Sequence, residues 1–250
     1  MTLHRFFVPG AAQETGVLPL ADADAHHLRV VLRLTAGDEI VVVDDTGAAV
    51  FRLDATAPDV TATRVRRLPE PRIPRVTLAP ALAKGDKTDT VVRQATELGV
   101  ARIVPFAAER SVVHLEGAKA TARAERWRRV AAEAAKQSQR TDVPVITGPL
   151  TLAGMLDALA GCTVLVCWED ASAAPGIGEA LRRAAVADDG QVAVVVGPEG
   201  GLTPAEVALL TDAGALPVSL GPTILRTETA AVVAAALVLH ERGGLGARGA

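Results

Sequence analysis

Apolar positions along this chain keep two different rhythms. Over the first 70 residues or so the apolar runs are short and closely spaced. Residues 39–43 are rich in β-branched side chains, with Ala36, Gly37 and Asp38 before them and Asp44, Asp45, Thr46 and Gly47 after. Residues 48–53 follow at once, so the spacing predicts a hairpin across that Asp/Thr/Gly turn. Residues 60–65 alternate Val60, Ala62 and Arg64 against Thr61, Thr63 and Val65, the two-residue period of another strand. Residues 26–34 place Leu28, Val31 and Leu32 at helical spacing. Short strands with one helix predict a small barrel-like β domain.

From Val76 onward the rhythm changes to strands alternating with helices. The pattern predicts strands over residues 76–79, 101–106, 163–168, 192–196 and 216–220. Helices are predicted over 86–98, 121–139, 178–187, 204–213 and 229–240, the first with Val91, Val92, Ala95 and Leu98 on one face and Gly99 as its stop. Such alternation predicts an α/β domain built on a mostly parallel sheet with helices on both faces. Between the two rhythms lie Pro69, Pro71 and Pro74, which favour extended chain and exclude a helix. The domain boundary is placed there, giving a β domain over residues 1–70 and an α/β domain over 76–250.

Composition changes this picture little. With 49% hydrophobic and 22% charged residues the chain has ordinary globular composition, and its formal net charge of −3 gives it no global positive field. Binding to a nucleic acid would have to use local basic patches. Cys162 and Cys167 show no metal-binding spacing and read as buried hydrophobes of a reducing compartment. The first ten residues contain no long apolar stretch of a signal peptide, and the run 230–239 is too short to cross a bilayer. A cytoplasmic protein without membrane association is expected.

Two C-terminal segments carry candidate chemistry. In the first, the apolar run 192–196 enters Gly197, Pro198, Glu199, Gly200 and Gly201, and a helix then starts at Thr203 and Pro204, a good N-cap and a good first helical residue. Ligands of open α/β sheets sit beyond the carboxyl ends of the strands, and glycines let the backbone approach them closely. The pattern is neither GxGxxG nor a P-loop. By itself it fits a ligand loop or a plain tight turn. The second segment runs from Leu220 to Ala230, where Arg226 and Glu228 are the only charges in apolar and small-residue surroundings. Buried charges must be paired or used. Arg226 reads as functional. Glu228 fits proton transfer, a structural pair with Arg226, or the start of a helix capped by Thr227.

Basic residues gather elsewhere. Along residues 123–140, Arg123, Arg126, Arg128, Arg129, Lys136 and Arg140 outnumber Glu125 and Glu133, beside an apolar stripe of Trp127, Val130, Ala131 and Ala134. This fits a phosphate-contacting surface or a solvated face. Lys84 and Lys87 flank a helix start, where Asp86 or Thr88 would cap. His4, His26, His27, His114 and His240 show no metal-ligand spacing, and no metal is expected.

Taken in order, residues 26–40, 81–100, the Arg126-Trp127 helix ending in Lys136-Gln-Ser-Gln-Arg140, GPEGGLTPAEV at 197–207 and LGPTILRTETA at 220–230 resemble one family. It is the bacterial 16S ribosomal RNA (uracil-N3) methyltransferases called RsmE, of the SPOUT superfamily. The matching stretches span almost the whole chain. Lys136 departs from the acidic residue that the family often shows. The resemblance implies an N-terminal PUA-like β-barrel and a C-terminal SPOUT domain with a trefoil knot, which periodicity alone does not indicate. It implies S-adenosyl-L-methionine (SAM) as methyl donor, with contacts from Cys167, Gly197, Glu199, Gly200, Gly201, Leu220, Gly221, Ile224, Leu225, Arg226, Thr229 and Ala230. Arg226 and Glu228 are the implied catalytic residues. His26, Arg29, Arg33, Lys84, Lys87 and Arg140 are the implied RNA contacts, with 16S rRNA of the small ribosomal subunit as substrate and a homodimer as the assembly. A SPOUT enzyme acting on a ribose 2′-hydroxyl and a non-catalytic ribosome-assembly factor are the competing readings.

Overall fold

The computed structural model describes residues 3–8, 10, 12–44, 46–69, 74–113, 115–170 and 173–246. Residues 70–73, within the expected boundary, and His114 lie outside the described residues. The chain divides into two compact units, Met1–Pro71 with Ala135–Asp142, and Arg72–Ala134 with Val143–Ala250.

The first unit is built from β1 (Arg5–Phe7), β2 (Thr15–Val17), α1 (Asp22–His26), β3 (Glu39–Asp44), β4 (Gly47–Ala55) and β5 (Thr61–Arg67). They form a five-stranded sheet in the order β1-β3-β4-β5-β2. The expected hairpin is β3 against β4, antiparallel, with Ile40 opposite Phe51 and Val42 opposite Ala49. Register shifts in the β4–β5 pair bend the sheet. One face buries Phe6, Ile40, Val42, Phe51, Leu53 and Ala62, and the other buries Val41, Val43, Ala48 and Val50. β1 and β2 have three residues each, too short to show a period.

The helix expected over 26–34 starts earlier and changes character. α1 continues into a π-helical turn, His27–Val31, in which only Leu28 is buried. Val31, expected beside Leu28, is 59% exposed. The wider turn rotates it off the core face. Within the same unit Lys136 reaches Asp24 at 2.9 Å, so this chain gives the unusual lysine an acidic partner.

The second unit adds β6 (Val76–Pro80), α2 (Lys87–Leu98), β7 (Arg102–Ile103), β8 (Phe106–Ala107), α3 (Gly117–Gln137), β9 (Val145–Ile146), β10 (Leu150–Thr151), α4 (Leu152–Ala158), β11 (Thr163–Cys167), α5 (Ile177–Arg183), β12 (Val192–Val196), α6 (Pro204–Asp212), β13 (Leu216–Val218) and α7 (Thr227–Glu241). Six strands form one sheet in the order β13-β11-β12-β6-β7-β9, and every pairing in it is parallel. β6 and β12 are buried at every position, as strands covered on both faces must be.

Alternate residues feed two cores. Val192, Val194 and Val196 pack with Val91 and Val92 of α2, Trp127 of α3, Ile177 of α5 and Ala231 of α7. Ala193 and Val195 pack with Met155 of α4 and with Val207 and Leu210 of α6. Helices therefore cover both faces. Trp127 is 1% exposed, and its indole N–H donates to Asp89 of α2 at 2.9 Å. Ala230, Ala231, Ala234 and Ala235 form the buried side of α7, where small side chains let the helix lie close.

Two strand expectations need correction. Residues 101–106 do not form one strand, because β7 stays in the main sheet while Phe106 pairs with Leu150 in a separate two-stranded sheet. Pro105 stands between them without an N–H, and its carbonyl accepts from Leu150 at 2.9 Å. The strand expected to reach Leu220 ends at Val218. Within β13, Val218 offers its carbonyl to the N–H of Trp168 at 3.3 Å, so Leu216 and Val218 turn their backbone groups toward β11 and Pro217 turns away from it.

Candidate active site

Three loops leave the carboxyl ends of β11, β12 and β13, which are adjacent in the parallel sheet, and they enclose one cavity of about 370 Å³. The position follows from the fold: parallel strands deliver their following loops to the same edge.

The loop after β12 is held at its far end. Thr203 caps α6 by accepting from the N–H of Glu206 at 3.2 Å, and the Glu206 carboxylate accepts from the N–H of Thr203 at 2.8 Å. This reciprocal box matches the expected N-cap. Glu206 is only 5% exposed, and its other oxygen accepts from the N–H of Glu109 at 2.7 Å, tying the loop to the segment after β8. Within the loop, Gly197, Glu199 and Gly201 line the cavity with Pro198. Gly200 does not. It packs on Arg110, whose guanidinium donates to its carbonyl at 3.0 Å. Gly201 has a φ of +70°, and a Cβ there would collide with Oε1 of Glu169.

The loop after β13 contributes Leu220, Gly221, Ile224, Leu225 and Arg226, and Ala230 follows from α7. Gly221 takes a φ of +118°, a conformation that favours glycine. Thr229 is exposed on α7 and lies off the cavity wall. α7 starts two residues before its expected beginning, and its N-cap is Arg226 in extended conformation, with no side-chain cap; Thr227 is the first helical residue. The expected Thr227 cap is thereby corrected. Arg226 is exposed to the cavity, and no hydrogen bond or ion pair joins its guanidinium to any described residue.

The loop after β11 adds Cys167, Trp168 and Glu169. Burial pushes the Cys167 thiol up to about 12, so it is protonated at neutral pH. The indole nitrogen of Trp168 is buried without a hydrogen-bond partner among the described residues. The sequence pointed to the segment after the strand ending near Cys167 but named neither Trp168 nor Glu169 in it. Their only signal was their place directly after a strand.

Lys87 also lines the cavity, between two carboxylates: Glu199 at 2.9 Å and Glu228 at 3.5 Å. Glu228 is not part of the wall and meets Lys87 as an ion pair without a hydrogen bond. The hydrogen bond to Glu199 holds the Lys87 ammonium above its ordinary range. Burial alone would raise the Glu199 carboxyl, but the hydrogen bonds from Lys87 and the N–H of Lys84 outweigh it and hold the group below its usual 4.5. A depressed carboxyl contributes stability that is complete above its unfolded value and is lost as pH falls through the folded one. Lys87→Met should therefore move the Glu199 titration upward, toward or past the ordinary range. Carbon-detected NMR of the side-chain carboxyl reads this directly, and an unchanged midpoint would remove Lys87 as the cause.

Of the remaining basic candidates, His26 and Arg33 are exposed on the first unit, and Lys84 is exposed at the start of α2. Arg29 is exposed, but its guanidinium already donates to the carbonyls of Thr56 and Pro58. Arg140 is placed differently from its expected RNA contact. It is 7% exposed and its guanidinium grips Asp142 at 2.8 Å, because the chain after α3 folds back within the first unit. No group of three or more His, Cys, Asp or Glu among the described residues is arranged to hold a metal. No helix among them is long and apolar enough to cross a membrane.

A family model described as the RNA methyltransferase domain matches residues 69–239, and one described as the RNA methyltransferase PUA domain matches residues 20–57. The chain is 36% identical over 230 residues to ribosomal RNA small subunit methyltransferase E of Mycobacterium bovis, covering 88% of this chain and 86% of that protein. It is 32% identical over 255 residues to the protein of the same name from Bacillus subtilis, covering 96% and 97%. Among solved structures, ribosomal RNA small subunit methyltransferase E from Neisseria gonorrhoeae, bound to S-adenosyl methionine, superposes with a TM-score of 0.81 at 29% identity, covering 95% of this chain and 97% of that one. With a PUA domain ahead of a parallel α/β unit, and with the glycine loop and Arg226 on one cavity, this chain belongs to the ribosomal RNA small subunit methyltransferase E family.

Proposed function

We propose that the protein transfers the methyl group of SAM to N3 of a uridine in 16S rRNA of the small ribosomal subunit. The observation that carries this is the convergence of the loops after β11, β12 and β13 on one cavity that presents an arginine with no hydrogen-bond or ion-pair partner among the described residues.

The cavity fits the donor. Its volume of about 370 Å³ suits a nucleoside carrying an amino-acid chain. Its wall combines backbone at Gly197, Gly201 and Gly221 with apolar surface from Val196, Leu220, Leu225 and Ile224. These residues would hold SAM, with Cys167 and Ala230 completing the wall. When bound, SAM supplies a methyl group already activated for displacement. The protein's task is to hold the acceptor nitrogen in line and to manage its proton.

Uracil N3–H is a weakly acidic imide flanked by two carbonyls. As its proton leaves, negative charge spreads onto those oxygens, and a fixed cation facing them lowers the barrier. Arg226 is the cation available for this. N3 lies on the pairing edge of the base, so the uridine must be unpaired or extruded to react. Exposed His26, Arg29, Arg33 and Lys84, with the half-buried Lys87 on the cavity wall, are the proposed RNA contacts, and the buried Arg140 is left out. A homodimer and the trefoil knot of the SPOUT superfamily complete the reading, as does residence in the cytoplasm, where the ribosome is assembled.

The test is tritiated SAM incubated with small subunits, and separately with naked 16S rRNA, from a strain lacking this enzyme. Label recovered as N3-methyluridine after nuclease digestion is the expected result. A 2′-O-methylated nucleotide would replace the reading by that of a ribose methyltransferase. RNA binding without any label would make the protein an assembly factor.

A further inference from the structure

Most ionisable groups on the cavity wall are already committed. Glu199 is tied to Lys87, and Lys87 is shared between Glu199 and Glu228. The Cys167 thiol is protonated. Two groups remain, Arg226 and Glu169, and neither makes a hydrogen bond or ion pair with any described residue.

Glu169 follows β11 after a single residue and is exposed to the cavity. Its carboxylate lies against the glycine loop, in the space that a side chain on Gly201 would fill. Glu228, the acid that the sequence puts forward, lies off the wall, with its Oε2 toward Lys87 at 3.5 Å. Lys87 competes for any proton-accepting lone pair of Glu228, and it holds Glu199 as an ionised partner.

We propose that Glu169 is the general base that removes the N3 proton of the target uridine, an assignment that rests on the methyl-transfer reading above. The N3–H bond breaks, its electron pair stays on the imide and the proton passes to the Glu169 carboxylate, which becomes a neutral carboxylic acid. The N3–CH3 bond then forms as the S–CH3 bond breaks. The latter's pair remains on sulfur, and the donor leaves as the neutral thioether S-adenosylhomocysteine. Glu169 returns its proton to solvent. The charged or titratable groups sharing its cavity are Lys87, Cys167, Glu199 and Arg226, with Arg110 behind the loop at Gly200.

The test is Glu169→Gln in the full chain, assayed on small subunits lacking the modification. Turnover should fall by about 100-fold or more, the scale of a lost general base. SAM affinity by calorimetry and the melting temperature should stay near wild type, because the residue is exposed and makes no hydrogen bond or ion pair among the described residues. The variant's rate should climb with pH above neutrality, as the imide ionises without help, while the wild-type rate is flat there. A variant with normal turnover but SAM affinity weakened tenfold or more would overturn the proposal and make Glu169 a holder of the donor's hydroxyls. Undiminished turnover and affinity would overturn it as well. If the wild type itself makes no N3-methyluridine, the parent reading fails first.

Discussion

Arg226→Ala is expected to lower methyl transfer by about 100- to 1,000-fold, the usual loss when one donor facing developing negative charge is removed. The guanidinium makes no hydrogen bond or ion pair with any described residue, so truncating it breaks no polar interaction of the fold. Melting temperature should therefore match wild type, and SAM affinity should change only modestly. Arg226→Lys keeps the charge but loses the planar fork, and should retain part of the activity. Full turnover in the alanine variant would show that the charge on the uracil oxygens is stabilised elsewhere.

Glu206→Ala should give the largest loss of stability among changes near the site. Its carboxylate is 5% exposed and accepts from two backbone N–H groups, those of Glu109 and Thr203, at 2.7 and 2.8 Å. Alanine leaves the buried N–H of Thr203 without its carboxylate partner, while the N–H of Glu109, on an exposed residue, can turn to water. At about 1–3 kcal/mol for one buried donor, the expected cost is roughly 2 kcal/mol, or a melting temperature lower by roughly 4–8 °C. Because these bonds anchor the exit of the glycine loop, SAM affinity should fall as well. Differential scanning calorimetry with and without SAM checks both. A variant that melts normally would mean that the loop is held by Thr203 alone.

The sheet was readable where side chains carry enough repetition. Residues 192–196 are apolar without interruption, which is how a strand buried on both faces must look, and the structure buries all five. Thr203 and Pro204 announced the start of α6 because capping chemistry is local, and the structure adds Glu206 as the reciprocal partner. Elements without repetition escaped. β9 and β10 have two residues each, and α4 has seven, below the window in which a period can be told from chance. Pro105 was visible, but its effect was not, since leaving one sheet for another depends on what Phe106 finds to pair with.

The cavity divides in the same way. Gly197, Gly201 and Arg226 are in motifs and could be named in advance. Glu169 could not, since its meaning comes from three strands placed side by side and from a neighbour 32 positions later in the chain. Arg140 shows the opposite case, a motif residue that the structure buries and pairs with Asp142. A basic residue at the end of a basic helix reads as an RNA contact until Asp142 is seen to hold it.

Pro217 has a consequence for how copies of this protein can meet. β13 is an outer strand of the main sheet, and an open outer strand is a template on which another chain can add its own. The position turned outward there is a proline, which has no hydrogen to give, so a visiting strand would meet a gap in the ladder. At the opposite margin β9 runs for only two residues, too little to seat one. Copies of this chain are thereby steered away from fusing their sheets margin to margin. The loop after β13, which carries Arg226, begins instead with the N–H of Ser219 donating to Pro175 of the same chain at 3.0 Å, so the next outward position is also taken.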